Sequence, residues 1–242
     1  MSIAEKLTTI AENVPKVYDA GKNLGKAEEN RAWWDCLTVK GTRTHFSSSF
    51  RSADFNLIGG FNPPYTLKPR ETADNMFRLA TGLTKITKSQ LDTSRNEAGI
   101  STFEASDLQE IEEFSTVGFV SKDIKWHFYG CSQLHTIGKF ILKADGTQVF
   151  TKNFTNDPNL QNITFEGKFG SGENFSSCPM LTAKSIESIV TALLDTASGQ
   201  TMTFNVAAKT TYYSAHSSEY ANADEAWNAL CATKSNWTIS LV

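Results

Sequence analysis

The chain has 242 residues, 40% of them hydrophobic and 20% charged, with 16 phenylalanines and a formal charge of -3 at a pI near 5.8. That length buries a sizeable core, and so aromatic a composition excludes disorder. No Lys/Arg stripe interleaves with aromatics, so nothing favours a phosphate backbone; nucleic acid is excluded as the expected partner.

Residues 1–30 read as an amphipathic helix. Ile3, Leu7, Ile10, Val14 and Val17 recur at steps of four and three, with Pro15 as a kink and Gly21 and Gly25 as candidate ends. The stripe either lies against the rest of the molecule as a cap or pairs with copies of itself to make a homo-oligomer. No basic start precedes a continuous apolar core and no later segment is long and apolar enough to span a bilayer, so neither a secretory signal nor membrane insertion is expected. Residues 31–76 follow as an irregular N-terminal cap, in which Trp33 and Trp34 serve either as an aromatic platform or as cover for an open edge, and Pro63-Pro64 marks a turn or extended connection.

Residues 77–184 carry a repeat. Phe77, Leu83 and Ile86 keep a six-then-three spacing that recurs at Phe128, Leu134 and Ile137 and at Phe154, Leu160 and Ile163, and Phe103, Leu108 and Ile111 shorten the first step by one residue. Phe175 and Leu181 begin another copy that breaks at Lys184, and the phenylalanines stand 26, 25, 26 and 21 residues apart. A period of that size predicts a solenoid, in which each Leu-x-x-Ile becomes a short strand and no unit buries its apolar face without a neighbour. Ala80, Cys131 and Cys178, three places after Phe, suit a point of small volume; Asp157 departs from them and is expected to cap or turn the chain through its carboxylate.

Residues 185–242 leave the repeat as an α/β capping subdomain of helix, strand, helix and strand. SIESIVTALLDTA is expected to be helical with Ser185 as cap and Gly199 closing the segment, TMTFNV and WTISLV to be paired strands, and ANADEAWNALCATKS a second helix.

Searching for chemistry finds no GxSxG, GxGxxG, phosphate-loop or HExxH pattern, and GSGE at 170–173 reads as a lone glycine turn. His45, His127, His135 and His216 read as surface residues, and Cys36, Cys131, Cys178 and Cys231 as free thiols without zinc spacing. No cofactor and no metal is expected. Glu110, Glu112 and Glu113 surround Ile111 and read as a solvated acidic face, with calcium binding or a glycosidase pair as alternatives. The positions between inward Leu and Ile residues are free to vary, and Glu110, Glu112, Thr136, Asn162 and Thr164 are the candidate interaction surface.

The FxxCxxLxxI pattern, together with IAEKLTTIAENVPKVYDAGK, KGTRTHFSSSF, LKADGTQVF, LQNITFEGKFG and ALCATKSNWTISLV, resembles BspA-like leucine-rich repeat proteins encoded by phages and gut Firmicutes. The resemblance covers nearly the whole chain. It implies an α/β chain built as a short leucine-rich-repeat solenoid with an N-terminal helix and an α/β C-terminal cap. It further implies a noncatalytic virion structural or host-surface-binding protein (fibre, baseplate or head decoration component) whose partners are a protein or glycan on a host surface or other virion proteins. A bacterial cell-surface adhesin and an unrecognised carbohydrate-active enzyme are the alternatives.

Overall fold

The structure, a computed structural model, describes residues 45–63 and 65–242. The helix expected over 1–30, with Ile3, Leu7, Ile10, Val14 and Val17, lies outside the described residues, as do Trp33, Trp34 and Cys36.

The described chain is a parallel β-solenoid followed by helices. Each Leu-x-x-Ile segment does form a strand: β1 (Lys85–Ile86), β2 (Glu110–Ser115), β4 (Thr136–Ile141) and β6 (Asn162–Glu166), and together they make one parallel sheet in that order. Ile86, Ile111, Ile137 and Ile163 are in register and buried. Beyond them Phe114, Phe140 and Phe165 form a second inward row, reached after a register shift between Ile137 and Phe140 that sets two residues of β4 against Thr164 alone. A second wall is the pair β3 (Asp123–Lys125) and β5 (Val149–Thr151), also parallel.

The stacked phenylalanines hold the coils in step. Phe50, Phe77, Phe103, Phe128, Phe154, Phe175 and Phe204 form an unbroken column in which successive rings lie 4.7–6.1 Å apart and within 18° of parallel. Phe50 and Phe204 thereby extend the column on both sides of residues 77–184. The backbone explains the regularity: in five successive coils the residues two before and two after Phe are left-handed, namely Ser48 and Ser52, Asn75 and Leu79, Ser101 and Ala105, Trp126 and Gly130, and Lys152 and Asn156. This double turn points the intervening Phe inward and its N–H toward the next coil, as in Phe77 N–H to Thr102 O (2.7 Å) and Phe103 N–H to His127 O (2.8 Å).

Where Lys184 breaks the repeat, a helix takes the place of the next strand. This α1 (Ala183–Ala192) is capped by the Thr182 side chain, which accepts from the Ser185 N–H, so Ser185 lies in the first turn instead of at the cap. Its Ser185 and Ser188 hydroxyls accept from Ile163 N–H (3.0 Å) and Phe165 N–H (2.8 Å), closing the open edge of β6. The helix ends at Ala192, well before Gly199, and Lys234 reaches in to donate to Leu193 O (2.8 Å) and to Asp195 (2.5 Å).

At the C-terminal end, β7 (Asn174–Phe175), β8 (Gln200–Phe204) and β9 (Trp237–Leu241) form a third parallel sheet, so the two expected strands do pair. The expected second helix is Ala223–Ala232, but another, α2 (Ala207–Ala215), precedes it and makes Ala223–Ala232 α3. Its sequence, AAKTTYYSA, buries only Ala208 and Tyr212, too faint a stripe to read from periodicity.

Candidate functional site

Two surfaces merit a functional reading, and the first is the outward face of the β1–β2–β4–β6 sheet. Register places Lys85, Glu110, Thr136 and Asn162 in one row across four coils. Asn162 Nδ2 approaches Thr136 Oγ1 at 3.4 Å, and Thr136 Oγ1 also meets His135 Nδ1 at 3.0 Å. Glu112 and Thr164 stand exposed beyond the isoleucine row. The five sequence-selected residues thus share one face.

The acidic cluster on that face is paired by its neighbours. Lys85 Nζ bonds Glu110 and Lys88 Nζ bonds Glu113, each at 2.8 Å, while Glu112 accepts from the Lys88 backbone N–H at 2.9 Å. Lys139 bonds Glu166 at 2.6 Å, and since Glu113 and Lys139 are register partners, Lys88, Glu113, Lys139 and Glu166 alternate in sign across the sheet. Donating to Glu113 raises the Lys88 ammonium above its ordinary value, and donating to Glu166 does the same to Lys139. Lysine from the adjacent coil, not water alone, balances this acidity, and among the described residues no group of three or more His, Cys, Asp or Glu side chains is placed to hold a metal ion.

The second surface is a shallow, open depression of about 460 Å³ between β5 and β8. Val149 and Lys152 line it from one coil, Gly172 from the next, and Gln200, Thr201 and Thr203 from β8. Here side chains replace main-chain rungs: Ser171 Oγ accepts from Phe150 N–H (2.9 Å), and Gln200 Oε1 accepts from Gly172 N–H (3.2 Å). Glu173, almost fully buried beside it, accepts from Asn153 N–H, Asn153 Nδ2 and Asn174 N–H at 2.8–3.0 Å. Burial pushes its carboxyl up while these bonds pull it down, and the net direction is upward. Ser171, Gly172 and Glu173 fall within the GSGE turn read from the sequence, which gave none of the lining residues a functional role.

Four further side chains, His127, Asp157, Cys131 and Cys178, are buried in the interior. His127 is fully buried, not at the surface as the sequence suggests, with its ring between Phe114 and Phe119 at centroid distances of 4.9 and 5.6 Å. Thr102 Oγ1 lies 3.3 Å from Ala73 O and 2.9 Å from His127 Nδ1, and His127 Nε2 is left without a partner. Burial lowers its pKa to about 3. Asp157 does not cap or turn the chain: both carboxylate oxygens lack hydrogen-bond partners, and the facing N–H groups of Gly130 and Cys131 already donate to Thr155 O and Phe128 O. Burial pushes this carboxyl well above the usual carboxylate range. Cys131 and Cys178 flank it as free buried thiols whose Sγ atoms donate to Phe103 O and Phe154 O, and burial raises both.

Among the described residues no helix is long and apolar enough to cross a membrane. Comparison with family models, curated proteins and solved structures finds no match to the chain.

Proposed function

We propose that the protein is a noncatalytic interaction module, a virion structural or host-surface-binding component, whose coils are leucine-rich repeats of the BspA-like class. The observation that carries this reading is the row of Glu110, Thr136 and Asn162, with Glu112 and Thr164 beside it, held in register by buried isoleucines one residue away. Packing fixes the inward positions and leaves the outward ones free, so the face presents many weak contacts at set spacings. The lysine partners of Glu110 and Glu113 weigh against the acid/base pair of a carbohydrate-active enzyme, which needs one carboxylic acid free to give its proton. Residues Ile3, Leu7, Ile10, Val14 and Val17 would serve as the oligomerisation element. The repeat spacing and the sequence resemblance support the virion assignment.

Flow cytometry of the labelled full chain on a panel of intact Firmicutes cells tests the surface. Binding that falls with Thr164→Arg and Asn162→Arg supports the reading; no binding, or equal binding by both variants, overturns it. Light scattering of the full chain and of a chain lacking residues 1–24 tests the helix, since a larger assembly should revert to monomer.

A further inference from the structure

Helix α2 ends at His216, where the backbone turns the chain: its N–H donates to Tyr213 O at 3.0 Å and its carbonyl accepts from Glu219 N–H at 2.9 Å. The His216 side chain joins three elements. Nε2 lies 2.6 Å from Glu187 Oε1 on α1, and Nδ1 lies 3.0 Å from Glu219 Oε1 in the connection 216–222. The ring rests against Tyr212 of α2 with centroids 4.5 Å apart. A neutral imidazole has one N–H and one lone pair, so it satisfies one of these carboxylates and turns a lone pair toward the other. Only the imidazolium donates to both. Moving the proton to a carboxyl instead would reverse the ordinary order of acidity between a carboxylic acid and an imidazolium. The geometry is that of a charged histidine held between two carboxylates at the C-terminal end of a helix, where the last carbonyls also favour a cation.

Helix α2 is otherwise thinly fastened. Of its residues only Ala208 and Tyr212 are buried, and its Lys209 pairs with Asp224 of α3, which ties these two helices to each other but not to α1. The remaining titratable groups around the ring are engaged elsewhere. Glu225 of α3 accepts from Ala221 N–H at 2.9 Å, and Lys184, the other charged residue of α1, is exposed. Burial holds the Tyr212 phenol above its ordinary value, with Tyr220, Glu187 and Glu219 adding to the effect, so it stays neutral. The hydrogen bonds to Glu219 and then to Glu187 raise the His216 pKa above its ordinary value.

We propose that His216 is a pH-sensitive clasp: protonated, it fastens α2 and the connection 216–222 to α1; neutral, it releases one of its two carboxylates and loosens that connection. A pKa raised in the folded chain contributes stability that is fully present below the unfolded value of about 6.5 and is lost as pH rises through the folded value. The clasp therefore closes in mildly acidic solution and opens toward alkaline pH. Opening acts on α2 and its connection alone, because α1 stays anchored to the sheet through Ser185 and Ser188 and through its buried Ile186, Ile189 and Val190. The device does not rest on the function read from the Thr136 and Asn162 row.

NMR of the histidine Cε1–H groups in the full chain, titrated from about pH 5 to about pH 9, tests the clasp, with His216→Gln assigning the signal. His216 should titrate above about 6.5, and Glu187→Gln and Glu219→Gln should each lower its midpoint. Both glutamates are solvent-accessible, so neither change threatens the fold. Amide exchange, corrected for the intrinsic rate, reads the loosening. Protection of the Tyr212 and Tyr213 amides should fall about twofold to fivefold as pH rises through that midpoint, the range that exposed ion pairs provide, while the Ile137 amide keeps its protection. In His216→Gln the protection of α2 should be low and independent of pH. A midpoint at or below about 6.5, an unchanged midpoint in either glutamine variant, or unchanged α2 protection across the midpoint overturns the proposal. So does a pH dependence of α2 that survives His216→Gln, or a parallel loss of protection at Ile137.

Discussion

Phe77 and Phe103, one coil apart, lie with ring planes 3° from parallel and centroids 5.3 Å apart, and Phe103 repeats the relationship with Phe128 at 11° and 5.4 Å. Each ring therefore has a neighbour on both faces, and Phe114 adds an edge contact to Phe103 at 5.8 Å. Phe103→Ala should cost about 3–5 kcal/mol, as for other large core truncations. Since Phe128 loses a stacking face in that variant, Phe103→Ala and Phe128→Ala should not add in a double-mutant cycle. Urea denaturation of the two single variants and the double variant measures both quantities; full additivity would show that the column is only a row of independent rings.

Asp157 is the one carboxylate in a column otherwise made of Ala80, Ser106, Cys131 and Cys178, and it is as buried as they are. Its folded-state carboxyl titrates above its unfolded value, so the folded chain binds more protons in between. The stability it carries is fully present below about pH 4 and is lost as pH rises toward the folded value. Glu173 acts in the same direction. Asp157→Ala should therefore stabilise the protein at pH 7 by about 1–3 kcal/mol, the cost of a buried unpaired polar group. Denaturation from pH 4 to pH 8 should also show a shallower decline in the variant. A destabilised Asp157→Ala at pH 7 would mean that the carboxylate has a partner in solution.

His127 works in the opposite sense. Its folded-state pKa of about 3 lies below the unfolded value of about 6.5, so the unfolded chain binds the extra proton first as pH falls. Its contribution is fully present above about pH 6.5 and is lost toward pH 3, with a limiting slope of about 1.4 kcal/mol per pH unit. His127→Leu should flatten the acid limb of the stability profile while sacrificing the Thr102 hydrogen bond and so some stability at pH 7. An unchanged acid limb in His127→Leu would assign acid loss to other groups. Asp157 and Glu173 act in the opposite sense, so their effect and that of His127 oppose each other between about pH 4 and pH 6.5.

The repeat was legible because packing wrote it into residue identity: Phe, Leu and Ile at fixed steps are what an inward-facing column and strand require. Phe50 and Phe204 belong to the same column but lack the Leu-x-x-Ile that follows Phe77, Phe103, Phe128 and Phe154, so spacing alone did not join them to it. His127 and Asp157 misled for a different reason. Polarity ordinarily signals exposure, yet one is enclosed by phenylalanines and the other occupies a small-residue slot. The outward row of Glu110, Thr136 and Asn162 followed directly from the inward spacing, whereas the depression did not, because it is assembled from Lys152, Gly172 and Gln200 in three coils with no shared motif.

The end of the sheet is held by two hydroxyls, and this is its most testable feature. Phe165 N–H donates to Ser188 Oγ at 2.8 Å and Ile163 N–H to Ser185 Oγ at 3.0 Å, so helix α1 supplies the acceptors that the next coil would have given. Ser188→Ala leaves the Phe165 N–H without its partner at a partly buried position and should cost about 1–3 kcal/mol. Ser188→Thr keeps an acceptor hydroxyl and should recover most of that loss. Amide hydrogen exchange distinguishes this local effect from general destabilisation: the Phe165 amide should exchange faster in Ser188→Ala, while the Ile137 amide in the neighbouring strand keeps its protection. If both amides speed up together, the helix contributes through its packed Ile186, Ile189 and Val190 face instead, and the serines are incidental to the closure of the edge.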